Sequence, residues 1–192
     1  NANNSVRLTD EFFRAVQDDA PWQTRTVQSG EAHETIPARE LMREIAEAAW
    51  ACGDPGVQYE DAIQRWHTSP NAGRISGSNP CSEYMHIDDS ACNLASINLM
   101  EFLDEDGTFR VDDFRHAVRV VLTAQEIVVT PASYPTKRIG DNARAFRQLG
   151  QGYTNLGSLL MCQGLAYDSD EGRAWAGALT ALMQGEAYGQ SA

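Results

Sequence analysis

Ser78-Asn79-Pro80-Cys81-Ser82-Glu83-Tyr84 lies inside a long stretch without helical or strand periodicity, and Cys92-Asn93-Leu94-Ala95-Ser96-Ile97-Asn98-Leu99 follows it. Pro80 fixes its own φ and biases Asn79 towards extended backbone. In extended backbone Asn79, Cys81 and Glu83 are alternate residues and face the same way. An amide, a thiol and a carboxylate side by side offer a hydrogen-bonding group, a redox-active atom and a general base. The bland alternative is a turn in which Asn79 and Glu83 bond only to backbone. Cys92 follows Cys81 by eleven residues and opens a segment that reads as a strand. Alternation puts Cys92, Leu94, Ser96 and Asn98 on one face and Asn93, Ala95, Ile97 and Leu99 on the other. Neither face is purely apolar, as happens where a strand lines a polar cavity.

Outward from this centre, residues 53–91 hold Trp66, His67, Ser69-Pro70-Asn71, Gly73, Gly77 and the pair Asp88-Asp89. Only a short helix around Glu60–Trp66 is expected there, and so long an irregular stretch in a compact domain points to function. His67 and His86 read as structural histidines, Asp88 and Asp89 as solvated turn acids, and Tyr84 as a packing residue. Upstream, Ser5-Val6-Arg7-Leu8 reads as a strand. Thr9 caps a helix over about 10–18, with Asp10 and Glu11 where the helix dipole favours acids. Thr24–Gln28 reads as a short strand ending in Ser29-Gly30. Pro37 opens a helix with Leu41, Met42, Ile45, Ala48, Ala49 and Cys52 at helical spacing, which places Cys52 near its buried face. Downstream, Gly107-Thr108 is a turn. Phe114, Val118, Val121 and Leu122 stripe a helix over 111–128 that Pro131 and Pro135 end. Residues 141–148 and 153–163 read as helical, interrupted by Gly150 and Gly152. Gly157 costs about 1 kcal/mol against alanine in a helix, so close approach of another backbone is expected there. Cys162 reads as core. Asp168 and Glu171 resemble a capping box before a final helix through Trp175, Leu179, Leu182 and Met183.

The 192 residues, 42% hydrophobic, suffice for one domain core. A net charge of -12 argues against nucleic-acid binding, which needs a basic patch. A small phosphorylated substrate stays compatible, since backbone N–H groups at a helix start can hold one. No apolar run approaches the roughly 20 residues of a membrane span. None of the four cysteines, Cys52, Cys81, Cys92 and Cys162, forms a C-x-x-C pair, which disfavours structural zinc, and no metal site is expected. Thiols without a secretory signal suggest a reducing cytoplasm. The chain starts without methionine and closes inside an apparent helix, so an internal segment is expected, with N- and C-terminal parts of a parent protein lying outside it.

Asn79-Pro80-Cys81-Ser82-Glu83-Tyr84 and Ser90-Ala91-Cys92-Asn93-Leu94-Ala95-Ser96-Ile97-Asn98-Leu99 closely resemble the active-site finger loop and following strand of ribonucleotide reductase large subunits. The short Cys81–Cys92 separation looks like the class II, adenosylcobalamin-dependent group. Asn3-Asn4-Ser5-Val6-Arg7, Asp54-Pro55-Gly56, Trp66-His67-Thr68-Ser69-Pro70-Asn71 and Ala143-Arg144-Ala145-Phe146-Arg147-Gln148-Leu149-Gly150 extend the resemblance over nearly all of the chain.

The resemblance implies a ten-stranded α/β barrel with a central finger loop. Residues 1–192 are then an internal segment of the catalytic barrel, with the finger loop at about 74–91 and a helical stretch at about 111–192. It implies reduction of ribonucleotides, with diphosphates favoured, to 2′-deoxyribonucleotides for DNA synthesis by a thiyl-radical mechanism. The cofactor is adenosylcobalamin. Cys81 carries the thiyl, Glu83 is the general base for the 3′-hydroxyl, Asn79 hydrogen-bonds the substrate with Ser78 beside it, and Cys92 belongs to the dithiol that becomes a disulfide. Its partner cysteine, shuttle cysteines, the late phosphate loop and most of the effector loop are expected outside this segment. A thioredoxin-like reductant, dNTP or ATP effectors and a homodimer are expected for the whole protein, and inactivity for the isolated segment. The rivals are a large subunit that uses a partner-generated radical and a non-catalytic α/β binding or assembly module.

Overall fold

The computed structural model describes residues 3–192, so the first two residues of the segment lie outside the described residues. The chain divides into two compact units, residues 1–88 and 89–192.

The first unit opens with β1 (Ser5–Leu8) and α1 (Asp10–Gln17). The Thr9 hydroxyl accepts the Phe12 N–H at 3.2 Å, the cap expected from sequence, and Phe12 is fully buried. β2 (Pro21–Arg25) pairs antiparallel with β3 (Ala32–Pro37), and Trp22 lies edge-on to Phe12 with ring centroids 5.2 Å apart. The strand expected at 24–28 therefore starts earlier. It yields after Arg25 to a turn in which the Gly30 N–H reaches the Thr26 carbonyl. α2 (Ala38–Cys52) follows, stopped by Gly53 at φ +82°, a left-handed geometry that glycine adopts without a steric cost. Ala38 and Ile45 face the core, but Cys52 is exposed, contrary to the buried position expected. It belongs to the last turn, where its thiol reaches only local carbonyls, those of Ala48 and Asp54. β4 (Gly56–Tyr59) pairs parallel with β1, Val6 opposite Val57 and Arg7 opposite Gln58. α3 (Glu60–Arg65) and a single 3-10 turn (Pro70–Ala72) lead into the irregular stretch.

The second unit is a parallel strand pair with helices packed on it. β5 (Cys92–Asn98) and β6 (Gln148–Thr154) run side by side, Cys92 opposite Gln148 and Leu94 opposite Gly150. α4 (Val111–Val129) and α5 (Lys137–Phe146) form the crossover, and α6 (Leu156–Cys162) and α7 (Asp170–Ser191) follow β6. Ile97, Leu99, Phe114, Val118, Leu159, Leu179 and Met183 make one buried cluster. The stripe read from sequence on α4 is thus its core face. Glu186 of α7 binds both Arg115 and Arg119 of α4, the latter at 3.0 Å, and ties the two long helices together.

The stretch 111–192, expected to be helical, is interrupted by β6. Gly150 and Gly152 read as helix breakers, yet they sit inside a paired strand. Gly157 has open space where a Cβ would stand, so no backbone approaches it as expected. Cys162 is exposed rather than core. The cap of α7 is Ser169, one residue beyond the expected Asp168, and its hydroxyl accepts the Gly172 N–H at 3.0 Å. Among the described residues no helix is long and apolar enough to cross a membrane.

Candidate active site

Ser78 and Met85 form an isolated antiparallel bridge, and the residues between them make a turn. The Ser82 N–H donates to the Asn79 carbonyl at 3.1 Å, closing that turn around Pro80 and Cys81. Ser82 is left-handed at φ +64°, a conformation that costs a non-glycine residue about 1–2 kcal/mol. The backbone is therefore not extended, and simple alternation does not place Asn79, Cys81 and Glu83 on one face. What joins them is the turn itself. Asn79 Oδ1 accepts the Tyr84 N–H at 3.0 Å across it, which spends the oxygen of that amide on the loop. Its NH2 makes no hydrogen bond among the described residues and is the end with bonds to give. Cys81 and Glu83 are exposed, at the tip.

Ser78 is differently placed. Its hydroxyl donates to the Asn79 carbonyl at 2.7 Å and accepts from Gln58 Nε2 at 2.6 Å, so it is engaged inside the loop. Ser82 Oγ accepts from the same Nε2 at 3.0 Å. The sequence reading passed over Gln58, Ser82 and Arg7. A glutamine in a four-residue strand gives no local sign of a partner 20 residues away. Beneath the loop, Glu60 is buried and paired with Arg7 at 3.1 Å and with Arg74, and the Arg7 guanidinium also reaches the Ile75 carbonyl. A buried carboxylate is tolerable on these terms, because both its oxygens meet a cation. A cleft of about 460 Å³ opens beside the turn, lined by Tyr59, Ile63, Trp66, Ser82 and Met85 among others.

His67 staples the approach to the loop: Nε2 meets the Gly73 carbonyl at 3.0 Å and Nδ1 accepts the Ser69 N–H at 3.2 Å. His86 is buried, edge-on to His67 and stacked on Tyr84 with centroids 6.1 Å apart, which supports structural roles for all three rings. Burial, and secondarily the neighbouring His67, pushes the His86 pKa below its ordinary value, so the ring favours its neutral form.

Cys92, in the second unit, begins β5 and is half-buried. The face with Ile97 and Leu99 packs on the core, while Leu94 and Ser96 on the Cys92 face are exposed. Gly150 opposite is what leaves room for the thiol. A Cβ there would stand 3.2 Å from Cys92 Sγ and 2.4 Å from Leu94 Cδ2. Behind the strand pair, the buried Gln125 of α4 donates to the Asn93 and Gly150 carbonyls, each at 2.9 Å, bracing β5 and β6 at the level of Cys92. Asp89 is not a solvated acid, as expected, but pairs with Arg138 at 3.0 Å, and its carbonyl accepts from Asn142.

The whole chain, residues 1–192, matches the model of the family described as "Ribonucleotide reductase, barrel domain". It is 57% identical over 196 residues to the vitamin B12-dependent ribonucleotide reductase of Streptomyces clavuligerus, covering 100% of this chain and 20% of that protein. To the protein of the same name from Rhodopirellula baltica it is 55% identical over 194 residues, covering 100% of this chain and 19% of that protein. A vitamin B12-dependent ribonucleoside-diphosphate reductase from Mycobacterium tuberculosis is 37% identical over 169 residues, 88% of this chain and 24% of that protein. The chain thus spans about a fifth of the length of the curated relatives it matches.

Proposed function

The chain belongs to the ribonucleotide reductase barrel-domain family, and from that premise we propose that it is the finger-loop segment of an adenosylcobalamin-dependent ribonucleotide reductase. In this reading residues 1–192 are part of a ten-stranded α/β barrel that closes only in the longer protein, and Ser78–Met85 is the tip of its central loop. The relatives' names support the cofactor and the reaction. The observation that carries the reading is the exposed Cys81 thiol on a turn braced by Asn79, in a chain matched to the family over its whole length.

When bound, adenosylcobalamin supplies radical-generating chemistry that no side chain can. An exposed thiol fits that role, since Cys81 must give up its hydrogen atom to something outside its own loop. As a thiyl, Cys81 takes the hydrogen from the 3′ carbon of the ribonucleotide, and Glu83 accepts the 3′-hydroxyl proton. The Asn79 NH2 donates to the substrate, held by the loop through its oxygen. The 2′-hydroxyl leaves as water, with the two electrons and two protons coming from a dithiol of which Cys92 is one member. The thiols close to a disulfide, and Cys81 returns the hydrogen to the 3′ carbon, which regenerates its thiyl. Ser78 acts on the substrate only through the loop, because its hydroxyl is already engaged. A diphosphate substrate, a thioredoxin-like reductant, nucleotide effectors, a homodimer and a cytoplasmic location complete the reading. The isolated segment is inactive in it, because the barrel is incomplete.

The test is reduction of cytidine diphosphate and triphosphate by the full-length protein with a dithiol, with and without adenosylcobalamin. Cofactor-dependent reduction with preference for the diphosphate is expected. Cofactor-independent turnover contradicts the radical source, and preference for the triphosphate contradicts the substrate class.

A further inference from the structure

Gln58 is only 5% exposed, on β4, and nothing in the chemistry above requires an amide there. Burying an amide without partners costs several kcal/mol, so its hydrogen bonds show what it is for. Oε1 accepts from Arg7 Nε at 3.2 Å and Nη2 at 2.9 Å, and Nε2 donates to Ser78 Oγ at 2.6 Å and Ser82 Oγ at 3.0 Å. A guanidinium has donors only. Arg7 therefore dictates which end of the amide faces it, and the NH2 must face the loop. The two hydroxyls it grips stand on either side of Cys81 and are 3.3 Å from each other.

The loop needs such a grip. Among the described residues its only ladder contact is the Ser78–Met85 bridge, and Ser82 is held left-handed. Unfavourable backbone of this kind persists where the surroundings over-determine it. Arg7 is itself fixed, since Glu60 and the Ile75 carbonyl take the N–H groups of its Nη1. The chain of contacts thus runs from the β1–β4 sheet through one amide to both flanks of the cysteine.

We propose that Gln58 is a positioning residue for the thiyl-bearing loop, with Arg7 orienting it and Ser78 and Ser82 transmitting the constraint to Cys81. The inference rests on the reading of Cys81 as the hydrogen-abstracting residue. Gln58 touches no reacting atom. It sets where the sulfur stands when the 3′ carbon arrives, so its loss lowers turnover more than substrate binding.

The experiment uses the full-length protein with adenosylcobalamin and a dithiol, comparing wild type, Gln58→Met, Ser82→Ala and Cys81→Ser. Methionine keeps the volume of Gln58 and removes both polar ends. Misplacement of a reacting group by an ångström costs up to about a hundredfold, so Gln58→Met is expected to lower kcat by about ten- to a hundredfold with KM little changed. Ser82→Ala, which leaves one of the two grips, loses less. Amide hydrogen exchange in residues 79–84 speeds up in Gln58→Met while β1 and β4 keep their protection. If Cys81→Ser still reduces nucleotides, the functional reading fails, whatever the other variants do. If Cys81→Ser is inactive but Gln58→Met keeps wild-type kcat and exchange in 79–84, the positioning role is overturned and the reading stands. If Gln58→Met does not fold, Ser82→Ala decides: lowered kcat with unchanged melting supports the role, and wild-type kcat overturns it.

Discussion

The Cys81 turn and the Cys92 strand present the same atom by opposite means. Cys92 sits on a strand whose backbone is paired along its length with β6, whose other face enters an apolar core, and whose neighbour Gly150 is hollowed out for it. Cys81 sits on a turn with one bridge, an unfavourable backbone angle and a grip made of side-chain hydrogen bonds. The strand, held by ladder and core, is expected to answer mainly to changes of volume. The turn is expected to answer mainly to the loss of polar groups. Such a division suits the proposed reaction, in which Cys81 must be placed to a fraction of an ångström and Cys92 must only be reachable by a second thiol.

Deleting volume under the strand breaks the comparison most forcefully. Phe114→Ala removes a fully buried ring and costs about 3–5 kcal/mol of local stability. Hydrogen exchange of the full-length protein is expected to show this in β5, α4 and α7, with residues 79–84 little affected. Equal loosening of the turn counts against separate supports. Adding volume sharpens the comparison with a smaller effect. In Gly150→Ala the new methyl presses on the tip of the exposed Leu94 side chain, which can swing away, and on Cys92 Sγ, which cannot do so freely. Stability falls by about 1 kcal/mol, and alkylation of Cys92, followed by peptide mapping, slows while that of Cys81 does not. Unchanged alkylation of Cys92 contradicts the role given to Gly150.

The smallest effect is on pH. His86 packs behind the turn with its pKa pushed below the ordinary 6.5 by burial and by His67. The unfolded chain then binds more protons than the folded one as pH falls through 6.5, so this contribution to stability is present at higher pH and lost on acidification. Limited proteolysis within residues 67–88 is expected to accelerate below about pH 6.5, and His86→Gln to flatten the profile. A rate that falls on acidification reverses the sign and contradicts this account of the loop.

What the residues disclosed in advance follows the same line. α1 and α4 were legible because a cap or an apolar stripe is local and periodic, as with Thr9 and with Phe114, Val118 and Leu122. β6 was not, because Gln148-Leu149-Gly150-Gln151-Gly152 has the glycines of a breaker. Its reason to be a strand is the partner β5 and the space that Cys92 needs. β4 is four residues long and carries no alternation to read. At the site, Asn79, Cys81 and Glu83 were visible as residue types with useful chemistry. Their arrangement was not, since nothing near Ser82 announces a left-handed residue and the group that grips it is 24 residues earlier in the chain. Cys52 continues the helical spacing of an apolar face and Cys162 ends an apolar helix, which pointed both to the core, but each thiol lies at an exposed helix end.

The most direct test of the central claim is nucleotide reduction by the full-length protein with adenosylcobalamin and a dithiol, wild type against Cys81→Ser, with paramagnetic resonance recorded during turnover. The account predicts reduction and a sulfur-centred radical signal in the wild type, with both lost in a variant that melts at the same temperature. Reduction that survives in Cys81→Ser contradicts it.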